Sequence, residues 1–221
     1  LLEHLTPEMA EVFENTCAAA REAGAQLVDI RLDLVEKAVA VYYILATAEA
    51  STNLSRFDGI RYGRRSPEAA ALDQVYDLSR EQGFGAEVKR RILLGTFVLS
   101  SGYQEAYYRR AQKVRTLMIR ETQQALQSCD AILMPVTTGP AFRAGAIQDP
   151  LQMYLQDIFT ITANLVGMPS VALPAGLIQG MPVGIQLMGP QGADAQVLQL
   201  AGGLEKFLAS VSSPMASEGG I

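Results

Sequence analysis

The chain carries its most informative sequence between Gly83 and Phe97, GFGAEVKRRILLGTF. The leading glycines and the apolar spacing that follows them predict the start of a helix. Its predicted inward face contains Val88, Ile92, Gly95, Thr96 and Leu99. Arg91 lies on the same face, whereas helical phase turns Arg90 about 100° away. Because a guanidinium is costly to bury without an anion, the pattern predicts an anionic partner or ligand for Arg91.

The composition limits the class of protein. The chain has 221 residues, of which 49% are hydrophobic and 19% charged, so it can bury a sizeable core and is not globally disordered. Its net charge of −5 argues against a nucleic-acid-binding surface along the whole chain. Between Phe84 and Glu121, however, eight Lys or Arg residues accompany only three Glu residues. This basic stretch fits a solvated helix face better than a site for an anionic ligand or RNA, and both interpretations stay open.

The cysteines and the apolar runs exclude further classes. Cys17 and Cys129 are the only cysteines, which rules out a disulfide framework or a zinc site and suits a reducing compartment. The longest apolar run, around residues 38–48, is too short to span a bilayer, so no membrane role is expected. The chain opens on Leu1 without a signal-peptide pattern or a Met, which suggests a fragment, and residues 209–221 are expected to form a flexible tail.

Alternating helical and strand patterns predict an α/β fold in which helices flank a mixed sheet. The predicted helices cover residues 6–23, 34–53, 66–83, 83–99, 103–128, 149–167 and 194–208. The predicted strands cover residues 25–30, 130–136, 170–174 and 182–187. Between the second and third helices, residues 53–66 are expected to form a loop. In that loop Asp58 can cap its own backbone, and Gly59 and Gly63 permit turns.

A search for catalytic machinery finds no engine. His4 is the only histidine and has no placed partner, so it is more readily explained as an exposed side chain than as a base. The chain has no Gly-x-Ser-x-Gly elbow, no phosphate-binding glycine loop, no dinucleotide fingerprint and no cluster of metal ligands. The sequence therefore predicts no catalytic residue and no metal or cofactor in this chain.

Ligand recognition is better supported than catalysis. Asp157 falls on the predicted helix face of Tyr154, Ile161 and Leu165, where a carboxylate needs a cation or several hydrogen-bond donors. Arg91 has the complementary need. Either these groups form structural ion pairs, or they bind the carboxylate and the ammonium of a small zwitterion such as an amino acid. Tyr42 would then offer a hydroxyl and a ring wall.

Six blocks of the chain resemble one enzyme family. The longest is YYILATAEASTNLSRFDGIRYG, residues 42–63. The others are residues 83–102, 111–116, 149–154, 164–169 and 182–190, in the same order. Together they resemble the A subunits of the glutamyl-tRNA(Gln)/aspartyl-tRNA(Asn) amidotransferases, which are amidase-signature enzymes. The resemblance implies an amidase-signature fold, of which residues 1–208 would be the C-terminal portion of a single domain.

The resemblance implies an activity for the parent enzyme. Family members hydrolyse glutamine and pass the ammonia to partner subunits of a heterotrimer, where ATP and Mg²⁺ support amidation of misacylated tRNA. Their catalytic Lys and Ser residues lie in an N-terminal half that has no counterpart here, so this chain alone is expected to be inactive. A cytoplasmic location is expected in a bacterium, or a mitochondrial or plastid one in a eukaryote.

The family's glutamine-binding Tyr, Arg and Asp correspond to Tyr42, Arg91 and Asp157. The alignment leaves a one-residue ambiguity between Tyr42 and Tyr43 and between Arg90 and Arg91. The loop at residues 138–146 is shorter than the family pattern, and the sequence beyond residue 204 departs from it. Two alternatives stay open: a fragment of an amidase for another small amide, and a non-catalytic fragment that binds a partner.

Overall fold

A computed structural model describes residues 2–147, 153–154 and 156–211. The chain divides into two compact units. Unit 1 comprises Leu1–Val39 and Thr116–Ile221, and unit 2 comprises Ala40–Arg115.

The described residues form seven α-helices, three short helical segments of other types and three strands. The α-helices are α1 (Pro7–Glu22), α2 (Ala38–Leu54), α3 (Leu72–Gly83), α4 (Ala86–Leu99), α5 (Arg110–Ala125), α6 (Thr160–Val166) and α7 (Asp194–Val211). Leu2–His4 and Val35–Lys37 are 3₁₀ segments, and Glu105–Arg109 is π-helical. The strands are β1 (Ile132–Pro135), β2 (Ser170–Ile178) and β3 (Met181–Met188).

Unit 1 is built on the sheet. Within the described residues the strand order is β1-β3-β2, and β3 pairs antiparallel with both neighbours. Ile185 and Leu187 of β3 face a core formed with α1 and α7. Gln186 lies between them in sequence and therefore points to the opposite face. The buried residues of this core are Phe13, Ala19, Ala20, Leu173, Ala175, Ile185, Leu187, Ala201, Leu204 and Leu208.

Local capping chemistry starts α1 as predicted. The Thr6 hydroxyl accepts a hydrogen bond from the Met9 backbone N–H at 3.3 Å, and Pro7 occupies the first helical position. The backbone N–H of Thr6 also donates to the Thr138 carbonyl at 2.9 Å. The cap thus fixes the helix start against the chain that follows β1.

The strand predicted at residues 25–30 is wrong. These residues have no regular structure and are largely exposed, with Val28 54% exposed. A strand needs a hydrogen-bonded neighbour, and the described sheet offers none to this segment. Apolar residues in sequence were therefore insufficient to define a strand.

The helix predicted at residues 34–53 is confirmed, with a 3₁₀ turn preceding α2. Glu121 of α5 accepts hydrogen bonds from the backbone N–H groups of Asp33 at 2.8 Å and Leu34 at 3.2 Å. These bonds satisfy backbone donors at the point where the chain enters the turn, as a capping side chain would. The partner comes from 87 residues away, so local sequence could not reveal it.

Two predicted helix starts differ in the structure. Ser66 and Pro67 do not begin a helix: the Ser66 hydroxyl accepts from the Glu68 N–H at 3.3 Å in a local turn, and α3 starts at Leu72. The start predicted at Asp149 and Pro150 lies outside the described residues. Before α6, residues 156–159 form a turn rather than the helix that was predicted.

The remaining elements follow the predictions with small changes. The helix predicted at 103–128 begins with the π-helical segment before α5, and β2 extends four residues beyond its predicted end. On α4, Gly95 and Val98 are the buried residues, whereas Thr96 is exposed. The inward face of α4 is thus centred on Gly95.

Unit 2 contains a close approach of two helix backbones. A Cβ atom added at Gly95 of α4 would lie 2.0 Å from the carbonyl oxygen of Thr47 on α2 and 2.8 Å from Cβ of Ser51. Thr47 is itself buried, and its hydroxyl bonds back to the carbonyls of Tyr43 and Ile44. Because the obstacle is backbone, only glycine permits this helix–helix distance.

We predict that Gly95→Ala destabilises the chain although alanine is the better helix former. Separating α2 from α4 to admit the methyl group should cost about 1–3 kcal/mol, as for other overpacked sites. Gly83→Ala, at the end of α3 with open space around its Cβ position, is the matched control and should be neutral or slightly stabilising. Chemical denaturation followed by circular dichroism measures both. Equal midpoints for the two variants would contradict the close-approach argument.

The loop at residues 55–66 is organised by one carboxylate. Asp58 accepts hydrogen bonds from the backbone N–H groups of Ile60 and Arg61, both at 2.9 Å, and from Nε of Arg61 at 3.1 Å. Its side chain is only 5% exposed. The two backbone donors, helped by Arg61, hold the pKa of Asp58 well below its usual range. The predicted self-capping by Asp58 is confirmed.

Asp58→Asn should reduce stability at neutral pH. The pKa of Asp58 is lowered by folding, so its contribution is present above the unfolded-state pKa of about 3.9 and is lost as the pH falls towards the folded-state value. The difference in denaturation midpoint between wild type and variant should therefore shrink as the pH is lowered below about 4. Asp77→Asn, at an exposed position of α3, is the control and should leave the midpoint nearly unchanged. A difference for Asp58→Asn that is constant from pH 7 to pH 3 would contradict this assignment.

Candidate substrate-binding site

The contact between α2 and α4 places Arg91 beside a pair of tyrosines. One turn before the Gly95–Thr47 approach, Arg91 lies on α4 and Tyr43 on α2. The Arg91 guanidinium carbon is 5.9 Å from the centroid of the Tyr43 ring. Tyr42 and Tyr43 meet edge to face, with centroids 5.2 Å apart and an interplanar angle of 88°. A cation over an aromatic face is stabilised by the ring quadrupole, which helps to orient the guanidinium.

Glu87 is the anion that Arg91 meets. Its Oε1 accepts from Nε of Arg91 at 2.9 Å, and its Oε2 accepts from Nη1 of Arg90 at 2.7 Å. The prediction that Arg91 must find its anion elsewhere is therefore wrong, because the i,i+4 neighbour on the same helix supplies one. Arg91 is also half-buried rather than buried, with a side chain 37% exposed.

The pairing leaves Arg91 with unused binding capacity. The hydrogen bond from Glu87, the largest effect, raises the pKa of Arg91 above its ordinary value, so the guanidinium stays charged. Only Nε is engaged, and among the described residues no acceptor meets the two terminal nitrogens. One carboxylate serves two arginines, so the group retains a net positive charge. This arrangement can bind a carboxylate in the bidentate manner.

Arg90 differs from Arg91 in its surroundings. Its side chain is 56% exposed and is paired with Glu87 alone. Among the described residues, no aromatic ring lies beneath its guanidinium. The geometry thus singles out Arg91 as the arginine that shares a surface with the tyrosine pair, and on α2 the ring beneath it belongs to Tyr43.

Asp157 belongs to unit 1, whereas Tyr42 and Arg91 belong to unit 2. It is exposed and lies in the turn before α6, not on a helix face with Ile161 and Leu165. Its backbone carbonyl accepts from the N–H groups of Thr160 at 3.1 Å and Ile161 at 3.0 Å. Within the described residues its carboxylate accepts no hydrogen bond. An exposed carboxylate on a fixed turn is available to a cation.

Other candidate groups offer little chemistry. Burial raises the pKa of the thiols of Cys17 and Cys129, which disfavours the reactive thiolate. His4 is partly exposed near Glu3. Within the part of the chain that the structure describes, no group of three or more His, Cys, Asp or Glu residues could hold a metal ion. No described helix has the length and apolar character needed to cross a membrane.

Sequence reasoning missed the partners that orient the predicted site. Glu87 was detectable, because Glu four residues before Arg is a favourable helical pair. The ring contact with Tyr43 was not, since it depends on the distance between two helices that Gly95 sets. A separate surface pocket of about 400 Å³ in unit 2 contains none of the predicted site residues. It is lined by Ala48, Glu49, Thr52, Asn53, Leu99, Gln104 and Tyr108.

Comparisons with known proteins identify close relatives. The glutamyl-tRNA(Gln) amidotransferase A subunit from Protochlamydia amoebophila (strain UWE25) is 57% identical over 209 residues, covering 94% of this chain and 43% of that protein. The protein of the same name from Fusobacterium nucleatum is 46% identical over 213 residues, covering 96% of this chain and 44% of that one. The chain therefore spans less than half the length of the curated relatives that it matches.

Solved structures share the fold. The crystal structure of the glutamyl-tRNA(Gln) amidotransferase A subunit from Thermotoga maritima matches with a TM-score of 0.69 at 37% identity, over 91% of this chain and 39% of that one. A bacterial aryl acylamidase matches with a TM-score of 0.67 at 19% identity, over 92% of this chain and 41% of that one. The predicted amidase-signature fold is confirmed. The family model described as Amidase matches residues 2–198, and this chain belongs to the amidase family.

Proposed function

We propose that this chain is the C-terminal, glutamine-binding portion of the A subunit of a glutamine-dependent tRNA amidotransferase. The observation that carries the proposal is Arg91, which is charged and oriented by Glu87 and Tyr43 while its terminal nitrogens have no acceptor among the described residues. The identity to the A subunits of two bacteria supports the choice of substrate.

In this proposal the three predicted residues bind the amino-acid end of glutamine. The Arg91 guanidinium binds the α-carboxylate with two parallel hydrogen bonds, because its planar fork matches that group. The Asp157 carboxylate binds the α-ammonium, and Tyr42 offers its hydroxyl and ring to the same end of the substrate. Binding both charged ends selects a free amino acid over an uncharged amide, which lacks them.

The chemistry itself is assigned to the rest of the parent enzyme. The family's catalytic Lys and Ser residues have no counterpart in the sequence, so this chain would recognise glutamine and another segment would cleave its amide. The released ammonia would pass to partner subunits of a heterotrimer. There ATP and Mg²⁺ would support its transfer to misacylated Glu-tRNA(Gln) or Asp-tRNA(Asn). The setting would be the cytoplasm of a bacterium, or a mitochondrion or plastid in a eukaryote.

Substitution of Arg91 tests the binding proposal. A hybrid subunit is made in which residues 1–221 replace the region that they match in the P. amoebophila protein, and it is assembled with that organism's partner subunits. Because Arg91→Ala removes a charged bidentate contact, kcat/KM for glutamine hydrolysis should fall about 10- to 100-fold, mainly through KM. The assay measures ammonia release at varied glutamine concentration.

Arg90→Ala is the matched control for this measurement. It removes the same side chain from the same helix and the same Glu87 carboxylate, but not from the tyrosine pair. It should change KM less than about twofold, a value set by the small worth of exposed ion pairs. An unchanged KM in Arg91→Ala would overturn the role of Arg91. Hydrolysis of unrelated small amides with indifference to glutamine would favour an amidase of another specificity.

The 221-residue chain on its own should not hydrolyse glutamine. The proposal assigns it binding groups without a nucleophile, and the described cysteines carry raised thiol pKa values. Ammonia release by the purified chain should equal that of a buffer blank, whereas the hybrid subunit should be active. Hydrolysis that follows the purified chain through two chromatographic steps would contradict this prediction.

A further inference from the structure

Gln186 is a buried side chain that joins three parts of unit 1. It lies in β3 and is only 4% exposed. Its Nε2 donates to the Pro135 carbonyl at 3.1 Å and to the Phe159 carbonyl at 3.0 Å, and its Oε1 accepts from the Ser170 hydroxyl at 3.0 Å. Both amide hydrogens and the amide oxygen are used, so the group is fully satisfied.

The three partners lie at distinct positions in the fold. Pro135 ends β1 and Ser170 begins β2, so two of the bonds lie within the sheet. The third crosses to Phe159, the residue before α6, which is itself only 1% exposed. Gln186 is therefore the side chain that connects the sheet to the turn at residues 156–159.

That turn carries Asp157. The turn is held on the other side as well, because Gln156 accepts a hydrogen bond from the Thr138 hydroxyl at 3.0 Å. Asp157 thus lies between two fixed neighbours, Gln156 bonded to the segment after β1 and Phe159 bonded to Gln186. Its backbone is fixed by buried polar contacts while its carboxylate is exposed.

We propose that Gln186 is a positioning residue for glutamine recognition, which holds the turn so that Asp157 presents its carboxylate to the substrate ammonium. The proposal rests on the function proposed above. A side chain in this place must supply two donors and one acceptor at the length of glutamine. Leucine supplies none, and glutamate would direct an acceptor at two carbonyl oxygens.

The test compares Gln186→Leu with Asp157→Ala in the hybrid subunit, which contains the full chain. Asp157→Ala should raise the KM for glutamine. Gln186→Leu should raise it about tenfold with kcat changed less than about threefold, because a displaced binding group weakens the substrate complex. Ser170→Ala, which removes one of the three bonds and keeps both donors of Gln186, should raise KM by a smaller factor.

The double variant separates positioning from general damage. If Gln186 acts through Asp157, adding Gln186→Leu to Asp157→Ala should raise KM no further. Multiplied effects of the two substitutions would overturn the proposal. Thr16→Val is the control for lost buried hydrogen bonding in unit 1, because the Thr16 hydroxyl is buried and donates only to Val12 within α1. It should lower the melting temperature and leave KM unchanged.

Amide hydrogen exchange of residues 156–161 in the 221-residue chain gives a readout independent of activity. Exchange there should be faster in Gln186→Leu and Ser170→Ala than in wild type, and unchanged in Thr16→Val. Equal exchange in all four proteins would overturn the proposal, and Ser170→Ala decides the matter if Gln186→Leu does not fold. An unchanged KM in Asp157→Ala would overturn the assigned role of Asp157. A raised KM there with wild-type KM in Gln186→Leu and Ser170→Ala would overturn this inference alone.

Discussion

The absence of a side chain at Gly95 is the constraint on which the geometry of unit 2 depends. Two helices whose backbones come within contact distance hold the side chains one turn away in a fixed relation. Arg91 and Tyr43 are those side chains, and their contact over 5.9 Å follows from the helix separation. A wider separation would keep the same residues on the same faces and would still lose the cation–π contact, whose strength falls with distance.

The charged groups of the candidate site are each held by only part of their bonding capacity. Arg91 is fixed through Nε and leaves its terminal nitrogens open, and Asp157 is fixed through its backbone and leaves its carboxylate open, as far as the described residues extend. Asp58 shows the opposite arrangement, because its carboxylate is consumed by two backbone donors and Arg61. Burial and full satisfaction mark a carboxylate that builds structure, whereas exposure on a fixed backbone marks one that can bind a ligand.

The sequence predicted those parts of the fold that depend on local chemistry. Thr6 and Pro7 start α1 and Asp58 caps its own loop because each uses donors within three residues. It failed at residues 25–30, where pairing with a neighbouring strand decides the structure, and before α6, where Asp157 lies in a turn instead of on a helix. Local pattern carries information about caps and helical faces, but strand pairing and helix ends depend on partners that lie far along the chain.

The same distinction divides the candidate site. Helical phase identified Arg91 and the i,i+4 rule could have identified Glu87, since both are properties of one helix. Gln186 could not be identified in this way, because a glutamine in an apolar strand has no assigned partner until the register of β3 is known. Its amide then meets two carbonyls and a hydroxyl, and a residue that looked like an interruption of the core becomes the connection between the sheet and the turn that carries Asp157. A buried amide with every donor and acceptor paired specifies one arrangement of the segments that it joins, because any other arrangement leaves a polar group unsatisfied.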